Sequence, residues 1–186
     1  MDSIQKTYVP GSLAATSAQT GHSLAETFIG ADAIVLVDTS GSMADSDGLQ
    51  KSRYERACLE LAGVQASLPG KVAVISFSDD VMFCPGGTPF NYGGSTRLAN
   101  ALSFIRVADV PDMKFIIISD GQPDDEETAL KEARKFVNKL DTIFIGREGG
   151  YGQKFLQQLA QASGGQAIKD FSAKQLATSV KGLLAG

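Results

Sequence analysis

Two nearly unbroken apolar runs constrain this chain most, because each ends in a cluster of oxygen-bearing side chains. Ala33-Ile34-Val35-Leu36-Val37 leads into Asp38-Thr39-Ser40-Gly41-Ser42, and Phe115-Ile116-Ile117-Ile118 leads into Ser119-Asp120-Gly121. Short apolar runs bounded by turn-forming residues read as strands buried on both faces, the kind found in parallel sheets covered by helices. The two strands then deliver carboxylates and hydroxyls to the same end of one sheet. That carboxyl end is where open α/β sheets bind ligands. Every group supplied is an oxygen, which suits a hard divalent cation.

From Ala31 onward, strand and helix patterns alternate. A strand over 33–38 precedes a helix over about 51–68, where Tyr54, Ala57, Leu61, Val64 and Leu68 recur at helical spacing before Pro69-Gly70;. Lys71 to Phe77 reads as a second strand. Asp79-Asp80 makes a tight turn into a short strand, Val81 to Cys84, close enough to be antiparallel at the sheet edge;. A loop over Pro85 to Gly94 leads to a helix over Arg97 to Val107, and a fourth strand covers 114–119. Asp124-Asp125-Glu126-Glu127 opens a helix expected to run to Leu140, since acids favour the positive end of the helix dipole;. Thr142 to Ile145, a helix over Gln153 to Ala162, a short strand near Gln166–Ile168 and a helix over Ala173 to Leu184 complete the series. The expected fold is α/β: a doubly wound, mostly parallel six-stranded sheet with one antiparallel edge strand and helices on both faces.

Residues 1–30 differ, being rich in Ser, Thr, Ala, Gln and Gly. They read as an N-terminal arm or extension, irregular over 1–22, with a capping box at Ser23-Leu24-Ala25-Glu26 starting a short helix to Ile29. Residues 31–186 form the domain proper.

Composition excludes more than it selects. The formal net charge is −4 without a basic cluster, which argues against nucleic acid or an anionic membrane as partner;. Cys58 and Cys84 read as unpaired thiols packed as small apolar groups;. Met1 to Gly30 lacks the basic start and apolar run of a signal peptide, and no run approaches the ~18 apolar residues of a membrane helix. The expectation is a cytoplasmic protein with no membrane partner.

Between the two carboxylate segments lies Gly93-Gly94-Ser95-Thr96, just before a helix. Thr96 reads either as a helix N-cap or as a further oxygen donor. With Asp38-x-Ser40-x-Ser42, Thr96 and Asp120, the chain resembles the metal-ion-dependent adhesion site of von Willebrand factor A domains. Gly93-Gly94-x-Thr96-x-Leu98, Ile118-Ser119-Asp120-Gly121 and the late segment Leu156 to Gly165 are similar to the family's pattern as well. The resemblance covers residues 31–184. It implies a Mg²⁺ held directly by Ser40 and Ser42, joined by Thr96 when ligand binds, with Asp38 and Asp120 acting through ordered waters. Mn²⁺ or Ca²⁺ could substitute. It also implies a protein partner that supplies an Asp or Glu carboxylate. Many intracellular relatives work beside ATPases, so an ATPase-associated complex is one candidate setting.

Other acids read more plainly. Asp45 matches a residue that helps hold a second ion in integrin-type relatives, but Asp45 and Asp47 read preferentially as a solvated acidic loop ahead of a helix. Asp79, Asp80 and Asp124 to Glu127 read as turn and helix-start residues, Asp124 close enough to shape the rim of the site.

The alternative is a Mg²⁺-dependent phosphoryl-transfer enzyme of haloacid-dehalogenase-like type, which also places an Asp at a strand end. Such enzymes need a second Asp two residues on, where this chain has Ser40. His22, the single histidine, lies in the arm, so a Ser-His-Asp triad is not expected;. A vestigial site is the third reading. Against it, two acids gathered for no ion would only repel each other.

Overall fold

Serine–glutamate pairs start two of the helices. Ser23 and Glu26 form a reciprocal capping box at the head of α2 (Leu24–Ile29), and Ser52 and Glu55 do the same for α3 (Arg53–Ser67);. The computed structural model describes residues 8–90, 93–147, 149–170, 178 and 182. The helix expected over Ala173 to Leu184 lies almost wholly outside the described residues.

Six strands make one sheet: β1 (Ala33–Asp38), β2 (Val72–Phe77), β3 (Val81–Phe83), β4 (Lys114–Ser119), β5 (Leu140–Ile145) and β6 (Ala167–Asp170). Their order is β3-β2-β1-β4-β5-β6. All neighbours are parallel except β2 and β3, where Phe77 pairs Val81 across the tight turn. The antiparallel edge is thus where the sequence places it.

Alternation along the buried strands builds two cores. Ile34, Leu36, Ile75, Phe77, Phe115, Ile117, Leu140 and Phe144 face one side, under α4 (Leu98–Ile105), α5 (Glu126–Ala133) and α6 (Tyr151–Ser163). Val35, Val37, Val72, Val74, Ile116, Ile118, Ile143 and Ile145 face the other, against Ala57, Leu61 and Val64 of α3. Helices on both faces explain why the central strands are apolar along nearly their whole length;.

Two segments depart from the expected pattern. Residues 13–20, expected to be irregular, form α1 (Leu13–Thr20), whose N-terminal amides are capped by Ser12. Its sequence has little periodicity because it buries one large side chain, Leu13, which is 1% exposed. The arm is then stitched on by backbone: Val9 N–H donates to Gly86 O, Ala14 N–H to Pro85 O and Gly70 N–H to Gly11 O. In addition, α5 ends at Ala133 and β5 begins at Leu140, whereas the composition suggested a helix running that far. The Asp109 carboxylate accepts from the N–H groups of Val137 and Asn138, and Phe136 packs edge-on to Phe115 with centroids 5.2 Å apart. These contacts turn the chain early and deliver Leu140 to its place beside Phe115.

Leu13→Ala should lower unfolding stability by about 2–4 kcal/mol, the usual result of emptying a fully packed leucine site. A urea titration that moved by less than about 0.5 kcal/mol would mean a loosely held arm.

Candidate metal centre

β1 and β4 lie side by side with Val37 opposite Ile118, so Asp38 and the Ser119-Asp120 pair leave the sheet as neighbours. Here the strand order reverses. From β1 the chain runs outward through β2 and β3, then crosses back to β4, β5 and β6 on the other side. The crevice at the carboxyl end of such a switch point is the general ligand position of open α/β sheets.

Asp38 has no exposed surface. Its Oδ2 accepts from Ser119 Oγ at 2.5 Å and its Oδ1 from the Ser40 N–H at 2.9 Å. Ser119 Oγ accepts in turn from the Gly121 N–H at 2.9 Å, which links the two strand ends. Burial raises the Asp38 carboxyl to about 6; hydrogen bonds from Ser119 and Ser40 pull it down, and the nearby Asp120 charge adds a smaller push upward;. The Ser40 and Ser42 hydroxyls stand 3.2 Å apart around the 3₁₀ turn Gly41–Ala44. Asp120, also buried, accepts from Arg53 Nη1 at 2.9 Å through Oδ2, while its Oδ1 is buried and has no hydrogen-bond partner.

Thr96 is buried in the segment before α4. Its N–H donates to Asp124 Oδ1 at 3.0 Å and its carbonyl accepts from the Asp124 N–H at 3.1 Å. The N-cap of α4 is Arg97 and carries no side-chain cap, so the Thr96 hydroxyl is not used to start the helix. Hydrogen bonds thus link Asp38 to Ser40, Ser40 to Ser42, and Ser42 to Asp120 through Arg53, while Thr96 is tied to Asp124, four residues beyond Asp120.

No protein-family model matches the sequence, and no curated protein matches it. Solved structures do. A von Willebrand factor type A protein from Catenulispora acidiphila matches with a TM-score of 0.63 at 14% identity, over 82% of this chain and 41% of its own. The ArnB paralog VWA2 from Sulfolobus acidocaldarius matches with a TM-score of 0.58 at 23% identity, over 80% of this chain and 43% of its own. The chain has the von Willebrand factor A fold. Manganese-loaded TRAP protein from Plasmodium vivax shares it, with a TM-score of 0.56 at 16% identity, over 83% of this chain and 73% of that one.

Within this von Willebrand factor A fold the donor set is lean. Among the described residues, no three His, Cys, Asp or Glu side chains gather as a metal site. The group offers two carboxylates and several hydroxyls instead. It still fits a hard divalent cation: every donor is oxygen, and the orphaned Asp120 Oδ1 is a buried acceptor that a cation or its water would satisfy;.

Further features were not anticipated from the sequence. Ser119 locks Asp38 in place, although it looks like the last residue of a strand. Asp47 is not the solvated acid expected of its loop. Its side chain is only 9% exposed and accepts from Arg53 Nε at 2.8 Å, Arg53 Nη2 at 2.6 Å and Arg56 Nη2 at 3.0 Å, with Arg147 Nε at 3.5 Å. The hydrogen bonds from Arg53 hold its carboxyl below the usual range. Asp45 does remain largely exposed, accepting the Asp47 N–H at 2.8 Å. A signal for this network was present: Arg53 and Arg56 stand in the first turn of a helix, where the dipole disfavours cations, at a spacing that faces them the same way.

The glycine-rich loop is also less free than its composition suggests. Tyr54 OH donates to Pro89 O, Ser76 Oγ to Phe90 O, and Gln65 Nε2 to Gly87 O at 2.8 Å. Residues 85–90 are thereby pinned, and Asn91 and Tyr92 lie outside the described residues. On the opposite rim, Gly121 has φ +74° and packs so closely on Gly152 that a Cβ on either would strike the other's segment. This contact seats the start of α6 against the Asp120 loop.

In chelator, the folded protein holds a proton on Asp38 more readily than the unfolded chain, where the group titrates near 3.8. This carboxyl's contribution to stability therefore falls as pH rises from about 4 to about 6, by up to about 3 kcal/mol, and is level above that. Asp38→Asn should remove that component and be more stable than wild type at pH 7.5. Urea titrations from pH 4 to 8 check it through the difference between the two proteins, which should grow with pH; a constant difference would contradict it.

Proposed function

We propose that this protein is a divalent-cation-dependent protein-binding module that recognises an acidic side chain on its partner. The observation that carries this reading is the buried, partnerless Oδ1 of Asp120, whose other oxygen shares Arg53 Nη1 with the Ser42 carbonyl, at the switch point of the sheet. The manganese-loaded protein of the same fold supports it.

A bound Mg²⁺, or Mn²⁺ or Ca²⁺ in its place, would supply positive charge and an open coordination position for a carboxylate. Ser40 and Ser42 would hold it directly through neutral hydroxyl oxygens, with Thr96 joining from the rim. Asp38 and Asp120 would accept hydrogen bonds from its waters. Because the direct protein donors are neutral, little of the cation's charge is cancelled, and the site favours an anionic sixth ligand. The recognition surface would be built from the loops 39–50, 85–96 and 120–124, joined by the loop that follows β5, and the partner would supply an Asp or Glu. An ATPase-associated assembly is the setting suggested by analogy with relatives.

A phosphoryl-transfer enzyme is disfavoured by the residues that accompany Asp38. Ser40 occupies the place of the acid/base Asp, and His22 sits on an exposed turn between α1 and α2.

Calorimetric titration of Mg²⁺ should show uptake by wild type and at least about tenfold weaker uptake by Asp38→Ala, the scale of losing one charged partner. Water-proton relaxation by bound Mn²⁺ should fall as acetate is added, reporting displacement of a coordinated water. Equal heats for the two proteins would remove the metal reading. Turnover of p-nitrophenyl phosphate that disappears in Asp38→Asn would restore the enzyme.

A further inference from the structure

We propose that Arg53 is a positioning residue that fixes the aim of Asp120 and sets the charge of the site, favouring an anionic ligand at the expense of cation affinity. The second half of this inference rests on the metal-dependent reading above; the first half does not.

One guanidinium nitrogen, Nη1, donates to Asp120 Oδ2 at 2.9 Å and to the Ser42 carbonyl at 3.2 Å. It thus joins the loop leaving β1 to the loop leaving β4, the two halves of the site. The other edge of the guanidinium, Nε and Nη2, grips Asp47 at 2.8 and 2.6 Å. Asp47 is held independently by the buried Arg56 at 3.0 Å, so the fork of Arg53 has a second support. A lysine has a single charged head and no such fork, and could not hold both carboxylates in this geometry.

The consequence for Asp120 is geometric. With Oδ2 taken by Arg53, only Oδ1 is left to the site, and Oδ1 is the buried oxygen without a partner. A carboxylate so divided presents one oxygen in one direction and is not free to chelate an ion with both.

The consequence for charge comes from burial. The Arg53 side chain is 11% exposed and Asp120 2%, so water screens their interaction little. Facing Arg53 are Asp45, Asp47 and Asp120, while Arg56 and Arg147 share Asp47. Arg53 is therefore not consumed by Asp47 alone, and part of its charge acts on Asp120. A positive group there repels a cation at the site and attracts the carboxylate of a ligand.

The test uses full-length protein, with Mn²⁺ and acetate as probes. Free Mn²⁺ is read by electron paramagnetic resonance, acetate by water-proton relaxation. Arg53→Gln should bind Mn²⁺ more tightly and acetate more weakly, each by about three- to tenfold, the scale of one partly screened charge. Asp47→Asn leaves Arg53 with surplus charge and should shift both affinities the opposite way, which keeps the test open if Arg53→Gln folds poorly. In chelator, the urea midpoints of Arg53→Gln, Asp120→Asn and the double variant should be non-additive. Parallel loss of both affinities, or no change in either, would overturn the charge-setting role. Additive midpoints would overturn the hold on Asp120. Wild type that takes up no Mn²⁺, with midpoints still coupled, would remove the metal-dependent reading and the charge-setting role with it, and leave Arg53 as the clamp on Asp120.

Discussion

A carboxylate with no exposed surface stands at the end of the central strand, and the hydrogen bond it receives from Ser119 crosses the line where the sheet changes direction. Burying Asp38 there is unfavourable, as its raised carboxyl records;. What makes it tolerable is complete satisfaction of both oxygens, by Ser119 on one strand end and the Ser40 amide on the other loop. The bond that satisfies the charge also fixes the relative height of β1 and β4, and so the spacing between the two loops that carry every other candidate donor. Gly121 extends the chain of bonds by donating to Ser119, and its close packing on Gly152 seats α6 against the same loop. The candidate metal-site carboxylate is here a structural joint as well.

The candidate site combines neutral and charged oxygens. The hydroxyls of Ser40 and Ser42 stand 3.2 Å apart, and the carboxylates Asp38 and Asp120 are held by hydrogen bonds from Ser119 and Arg53. A second layer of ion pairs, Asp47 with Arg53 and Arg56, anchors the loop between β1 and α3. The rim is graded: 85–90 is tied down by Tyr54, Ser76 and Gln65, whereas Gly94 and Thr96 depend on the carboxylates of Asp79 and Asp124.

The fold was legible because buried parallel strands advertise themselves as unbroken apolar runs, a capping serine marks where α2 begins, and apolar spacing marks α3. α1 was not legible, since one buried leucine gives no period. The end of α5 was hidden as well. Its sequence continues to favour helix, and the contacts that end it come from Asp109 and Phe115, both distant in the chain. At the site, the donors carried a recognisable spacing, but their supports did not. Ser119 looked like the end of a strand, and Asp47 like one more acid in a polar loop.

The sequence by itself determined the six strands, the antiparallel edge, and the delivery of Asp38, Ser40, Ser42 and Asp120 to one end of the sheet. Those features are local: apolar period, turn residues and chain direction suffice to specify them. The tertiary structure alone decided which oxygen of each carboxylate is engaged, that Asp47 is buried among arginines, and that Arg53 bridges the two loops. Hydrogen bonds and ion pairs depend on distances of a few tenths of an ångström between segments far apart in the chain, and spacing along one strand does not encode them.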